Sequence, residues 1–151
     1  KKLSQSLRAL AKVNDPNLKL VIAGVLQDDV KQECEALINA DPRVTFLGWQ
    51  SSDELTKLLC AADVYLQPGT QSATMQHSLC CGCAVILEAV ASHKPYVDEN
   101  GWLINSNESL ASVLSKLSTD RIDQKKAASL SFAKRMLDYQ EMAKKLLTNG
   151  N

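Results

Sequence analysis

Short apolar runs alternate along the chain with longer stretches whose apolar residues fall three or four positions apart. The runs are Lys19-Leu20-Val21-Ile22-Ala23-Gly24, Val44-Thr45-Phe46-Leu47-Gly48, Asp63-Val64-Tyr65-Leu66-Gln67 and Ala84-Val85-Ile86-Leu87-Glu88. Mostly continuous apolar runs of this length are the pattern of strands buried on both faces. They predict strands at about Leu18–Ala23, Val44–Leu47, Val64–Gln67 and Ala84–Leu87. The stretches Leu3 to Val13, Asp28 to Ala40, Asp53 to Ala62 and Ala73 to Cys81 carry the spacing of one-sided helices.

The punctuation agrees. Ser51-Ser52-Asp53-Glu54 places a Ser and a Glu three apart, the sign of a capping box that opens the third helix. Asn14-Asp15-Pro16-Asn17 and Asp41-Pro42 stop helices, because proline disfavours the helical conformation in the residue before it. Gly101-Trp102-Leu103-Ile104 adds a short late strand, followed by a helix over Glu108–Leu117 and a long basic and apolar helical stretch from about Asp123 to Leu147. Strands separated by helices pair in parallel with right-handed crossovers. The expected fold is therefore α/β, a doubly wound parallel sheet with helices on both faces and a long C-terminal helix. The chain opens on a helix, so a first strand is expected to be missing.

Composition narrows the function classes. At 151 residues, one domain over 1–151 is expected, with 45% hydrophobic and 23% charged residues, as in ordinary globular chains. Seventeen lysines and arginines balance seventeen aspartates and glutamates. No net field exists to attract a polyanion, which argues against nucleic acid but not against a small phosphate ligand. No apolar stretch has bilayer length and no signal pattern opens the chain, so a cytoplasmic location is expected. The five cysteines are odd in number, and Cys80, Cys81 and Cys83 crowd together. Cys80 and Cys83 have zinc-knuckle spacing, but no second Cys/His pair completes four ligands. Free thiols without metal are expected.

In open parallel sheets, ligands bind beyond the carboxyl ends of the strands. The third such end reads Gln67-Pro68-Gly69-Thr70-Gln71-Ser72-Ala73-Thr74-Met75-Gln76-His77. It joins a Pro-Gly turn, three hydroxyls and a helix start, whose first amides lack internal partners and carry the positive end of the helix dipole. A phosphate site is one reading; the other is that Ser72 simply caps its helix.

An ordered set of motifs resembles one family. Leu20-Val21-Ile22-Ala23-Gly24, Arg43-Val44-Thr45-Phe46-Leu47-Gly48, Ala62-Asp63-Val64 with Pro68, and Gly82-Cys83-Ala84-Val85 are similar to the C-terminal domain of the retaining GT-B glycosyltransferases of group 1. Ala84 stands where that family usually has proline. The resemblance covers nearly all of the first 105 residues.

What the resemblance implies is taken residue by residue. A family lysine that contacts the donor diphosphate falls at Lys1, which is equally readable as a solvated terminal lysine. The family's two glutamates, with seven residues between them, are not matched by glutamates here, and the first has no reliable counterpart. Counting back from Gly82 puts His77 at the second, whose carboxylate would hold the ribose, and Gly69 falls at the first by count alone. A neutral imidazole can bond a hydroxyl but cannot replace a carboxylate. Gly24 and Trp49 stand at strand ends facing the implied donor cleft. Trp49 either flanks the base or lies partly buried under the helix beginning at Ser52. His93 follows the fourth strand on the same side, with a solvated loop as the favoured reading.

The resemblance thus implies a donor-nucleotide-binding domain from a two-domain, metal-independent, retaining transferase. Its substrate-binding residues would be Lys1, Gly24, Trp49, Gly69, Thr70, Ser72, Ala73, Thr74 and His77, with no catalytic residue assigned. The implied ligand is a UDP- or GDP-sugar whose sugar passes to a glycan or lipid-linked acceptor, with no cofactor. An N-terminal acceptor domain is the implied partner, the isolated domain would be inactive, and the full-length protein would associate peripherally with membranes. The competing class is a non-catalytic nucleotide- or phosphosugar-binding module.

Overall fold

A computed structural model of the chain describes residues 2–69, 71–138 and 140. Lys1 and Thr70 lie outside the described residues, as does the far end of the expected C-terminal helix. In chain order the elements are α1 (Lys2–Ala11), β1 (Leu20–Ala23), α2 (Asp28–Ala40), β2 (Val44–Gly48), α3 (Ser52–Ala61) and β3 (Val64–Gln67). Then come α4 (Ala73–Cys80), β4 (Ala84–Glu88), a tight helical turn at Lys94–Tyr96, β5 (Gly101–Ile104), α5 (Asn107–Leu114) and α6 (Thr119–Met136). The alternation expected from the apolar pattern is present throughout, with parallel sheets flanked by helices. Among the described residues, no helix is long and apolar enough to cross a membrane.

The chain forms two compact units. The first comprises the residues up to Lys57 together with Ile104–Leu117. Here β1 pairs in parallel with β2, Leu20 opposite Val44 and Ile22 opposite Phe46, until the register shifts between Ile22 and Ala23. Leu7, Leu10, Cys34 and Val44 form the core, and Leu20 and Ile22 pack against it. Alternate strand residues therefore face inward, and Val21 on the outward face is 51% exposed. The expectation that β1 and β2 are buried on both faces is corrected: inside this unit the helices cover the face that carries Leu20 and Ile22.

Arg43 ties this unit together. Its guanidinium donates to the carbonyls of Leu10 (2.9 Å), Val13 (2.6 Å) and Asp15 (3.1 Å) and forks onto the Asp41 carboxylate. These carbonyls belong to the end of α1 and the loop after it, so the fork satisfies acceptors that a helix terminus leaves open. The helix expected to reach Val13 ends at Ala11, its tail closing in tighter bonds from Lys12 to Ala9 and Val13 to Leu10.

The Arg43 hydrogen bonds hold the Asp41 carboxyl below the usual aspartate range. A depressed folded-state pKa gives stability that is complete above the unfolded value, near 3.8, and is lost as pH falls through the folded value. The Asp41→Asn variant should accordingly show a shallower acid limb than the parent in urea unfolding followed below about pH 4. Parallel acid limbs would show that this pair does not contribute.

The second unit comprises Leu58–Leu103 and the chain from Ser118 onward. Its sheet runs β3-β4-β5, with β3 parallel to β4 and Val64 opposite Ala84. The central strand is the one buried as its apolar run predicts, with Ala84, Val85, Ile86 and Leu87 wholly inaccessible. Met75 and Leu79 of α4 and Phe132 and Ala133 of α6 pack with Val85 and Leu87. The Ser129 hydroxyl donates to the Cys83 carbonyl at 2.6 Å, pinning α6 at the point where the chain enters β4.

Candidate nucleotide-binding loop and its neighbours

The carboxyl end of β3 leads through Pro68 and Gly69 to α4, all within the second unit. Ser72 is the N-cap: its backbone is extended, and its hydroxyl accepts from the Met75 amide at 3.2 Å. The same hydroxyl donates its single proton to Oε1 of Gln67 at 2.8 Å. The capping reading of Ser72 is thus the one observed, and its donor capacity is committed to the end of β3. It fixes where the helix begins.

Gln67 Oε1 also accepts from the Tyr65 hydroxyl at 2.8 Å. Burial, the larger influence, pushes the Tyr65 phenol up, so it remains a neutral donor. From the other side, the Tyr96 hydroxyl accepts from the side-chain amides of Gln71 (3.0 Å) and Gln76 (3.2 Å). Two tyrosines and three glutamines therefore brace Ser72 and the first turn of α4. Sequence reasoning missed Tyr65, Gln71, Gln76 and Tyr96 as positioning residues; a separation of 25 residues between Gln71 and Tyr96 leaves no local signal to read.

A helix start leaves several N–H groups without intrahelical partners. The Met75 amide is taken by Ser72, while among the described residues no partner is seen for the amides of Ala73 and Thr74, which are placed to meet an acceptor from outside the helix. Ala73 is exposed and Thr74 half-buried, so the positive end of the dipole is open to solvent. His77, also half-buried, lies four residues beyond Ala73 and hence on the same helical face. A ligand anchored by an anionic group at Ala73 would extend along that face to His77.

Gly24 and Trp49 belong to the first unit, where each follows a strand. Gly24, at φ 137°, donates its amide to the Gly48 carbonyl at 2.8 Å, and Gly48 itself has φ 69°. Both conformations favour glycine, which explains glycine at the ends of these two runs. Trp49 is 73% exposed, which corrects the alternative that placed it partly buried under α3. Its ring offers an open stacking face.

The solvated-loop reading of His93 is also corrected. The side chain is fully buried, with Nδ1 2.9 Å from the Glu88 carbonyl. A carbonyl only accepts, so Nδ1 carries the proton, and among the described residues the buried Nε2 has no hydrogen-bond partner. The imidazole braces the loop after β4. All five cysteines are free thiols. No group of three or more His, Cys, Asp or Glu side chains among the described residues is placed to hold a metal ion.

A model of the family described as "Glycosyl transferases group 1" matches residues 1–120, and the chain belongs to that family. Among solved structures, HepE of Anabaena in complex with UDP is 18% identical, with a TM-score of 0.76 over 95% of this chain and 44% of that one. The pneumococcal O-GlcNAc transferase GtfA, in complex with UDP and GlcNAc, is 20% identical with a TM-score of 0.75, covering 97% of this chain and 31% of the other. The C-terminal domain of the group 1 protein LpcC from Francisella tularensis is 19% identical with a TM-score of 0.73, covering 89% of this chain and 76% of that one. These likenesses establish the GT-B type of Rossmann-like fold. No curated protein sequence matches the chain. The chain spans less than half the length of HepE and of GtfA.

Proposed function

We propose that this chain binds the nucleoside diphosphate of an activated sugar. Its diphosphate would lie over the turn from Gly69 to Thr74 and its ribose toward His77. The observation that carries this reading is the open start of α4 at the carboxyl end of a parallel strand, pre-arranged by Ser72 and Gln67, in a chain of group 1 membership. Fixed amides lose no ordering entropy when the anion arrives, and the dipole adds attraction. HepE and GtfA hold UDP in their structures, which supports a uridine nucleotide as the first to test.

Within a longer enzyme, the chain would serve as the donor half of a retaining, metal-independent transfer, with a separate acceptor domain completing the active site. Alone it would bind and turn over little. One observation favours the competing reading, a binding module without catalysis: His77 and Gly69 stand where the resemblance places two glutamates. Turnover by a longer protein containing this chain distinguishes the two.

Calorimetric titration with UDP, GDP, ADP and uridine tests the binding claim. A diphosphate should bind at least about tenfold more tightly than its nucleoside, since charge-assisted hydrogen bonds contribute about 1.5–3 kcal/mol each. Equal affinity for UDP and uridine would remove the diphosphate from the account.

A further inference from the structure

We propose that the Tyr96 hydroxyl donates a hydrogen bond to a phosphate oxygen of the nucleotide, so that the loop after β4 supplies a second, neutral arm of the site at the start of α4. The assignment rests on the nucleoside diphosphate lying along Gly69–His77. It names the side chain that selects for the phosphates over the rest of the nucleotide.

Tyr96 closes the tight turn at Lys94–Tyr96 and lies in the same unit as α4. Its amide donates to the His93 carbonyl at 2.9 Å, and its carbonyl accepts from the Asn100 side-chain amide at 3.0 Å. His93 and Asn100 are both buried, so neither anchor moves readily. The Tyr96 ring packs against the core that contains Met75, Leu79, Val85 and Leu87, and it meets the Phe132 ring at 6.3 Å between centroids. Backbone and ring are fixed, and the hydroxyl is delivered to one place without further ordering cost.

That place is the first turn of α4. Gln71 precedes the N-cap and Gln76 lies one turn into the helix, and the hydroxyl is bonded to both, at 3.0 and 3.2 Å. Ala73, Gln76 and His77 are three and four positions apart and share one helical face. The hydroxyl therefore borders the face along which the ligand extends. The opposite end of the unit is the one where Cys60, Cys80, Cys81 and Cys83 gather, at the close of α3 and α4.

A phenol can both accept and donate. Two amide N–H groups occupy the accepting side of the Tyr96 oxygen, and among the described residues no acceptor takes its proton. Tyr65 and Ser72, by contrast, both spend their protons on Gln67 Oε1. The two bonds that Tyr96 accepts polarise its O–H and make it a stronger donor. Tyr96 is half-buried, so a ligand reaches it without opening the core. The acceptors that gain most from such a donor are charged oxygens, and in a nucleotide these belong to the phosphates.

Tyr96→Phe keeps the ring and removes the hydroxyl. Its affinity for UDP should fall about tenfold, while its weaker affinity for uridine changes less than about twofold, both followed by NMR titration. Because the hydroxyl also braces Gln71 and Gln76, a second protein separates the two roles. Gln71→Ala combined with Gln76→Ala removes the brace and keeps the hydroxyl, so it should retain the parent's ratio of UDP to uridine affinity. In the parent labelled with carbon-13 at tyrosine Cζ, the Tyr96 resonance should move as UDP saturates and stay in place with uridine. Tyr65, already donating to Gln67, should move less. Unchanged UDP binding by Tyr96→Phe, equal losses for UDP and uridine, the same loss of ratio in the double alanine protein, or a Tyr96 resonance unmoved by UDP would each overturn the assignment. The label decides the matter in the parent even if a variant fails to fold. Where any of these occurs while UDP still shifts residues 69–77, the nucleotide site stands and the Tyr96 contact alone falls; UDP that leaves those residues unmoved in the parent removes both.

Discussion

Replacing Ala73 with aspartate should leave the fold as stable as the parent, or slightly more so, while nucleotide affinity falls roughly ten- to a hundredfold. Ala73 is the first residue of α4 and its side chain is exposed, so the substitution disturbs no packing. A carboxylate in the first turn interacts favourably with the helix dipole by about 0.3–1 kcal/mol. The same charge stands beside the amides that would hold a diphosphate. Like charges about 4 Å apart near a protein surface repel by up to about 4 kcal/mol, and screening leaves roughly half of that. Ser72 is a poorer place for the same test. Its hydroxyl donates to Gln67 Oε1, and a carboxylate there would set acceptor against acceptor and loosen the cap. Urea unfolding and calorimetry on the one variant separate the two effects. Undiminished UDP binding by a well-folded Ala73→Asp protein would show that the anion lies elsewhere.

Gly101→Ala should cost about 3 kcal/mol of stability, at the upper end of overpacking penalties. Gly101 opens β5 against the central strand of its sheet. A Cβ there would press on the Val85 carbonyl oxygen and lie 2.5 Å from its Cγ2. Neither neighbour can yield cheaply. The Val85 side chain is fully buried, and its amide donates to the Asn100 carbonyl at 3.1 Å. Asn100 is itself held, its side chain donating to the Tyr96 carbonyl and accepting from the Asp98 amide. A domain of this size is stable by about 5–15 kcal/mol, so such a loss is readily measured in urea. A change below about 0.5 kcal/mol would mean that β4 and β5 approach less closely than described.

Periodicity made the elements legible because it reports each residue's own neighbours along the chain. α2 occupies Asp28–Ala40 and β5 Gly101–Ile104, both as their spacing predicts. Helix ends were less legible where side chains compete with the backbone. The helix expected to reach Leu117 stops at Leu114, where the Ser115 hydroxyl turns back to the Ser112 carbonyl. Its start was equally local, with Ser106 and Ser109 forming a reciprocal capping box. The stretch expected to begin near Asp123 is helical from Thr119. The box predicted at Ser51 has one arm, its hydroxyl accepting from the Glu54 amide while Glu54 pairs with Lys57.

What the sequence left hidden was long-range. An apolar run does not say which face a helix will cover, so Val21 read as buried. The arrest of His93 by Glu88, and the joining of Tyr96 to Gln71 and Gln76, depend on the loop after β4 folding back within its unit. The candidate site was legible as a segment, from Gly69 to His77. The residues that rigidify it were not, because glutamine and tyrosine carry no positional signature.

Amide-resolved NMR of the chain titrated with UDP tests the central claim most directly. The account predicts that the largest saturable shifts fall on the amides of Ala73 and Thr74, with smaller ones along the same face to His77 and none of comparable size at the cysteine end of the unit. Shifts that cluster outside residues 69–77, or a titration that leaves Ala73 and Thr74 unmoved, would contradict it.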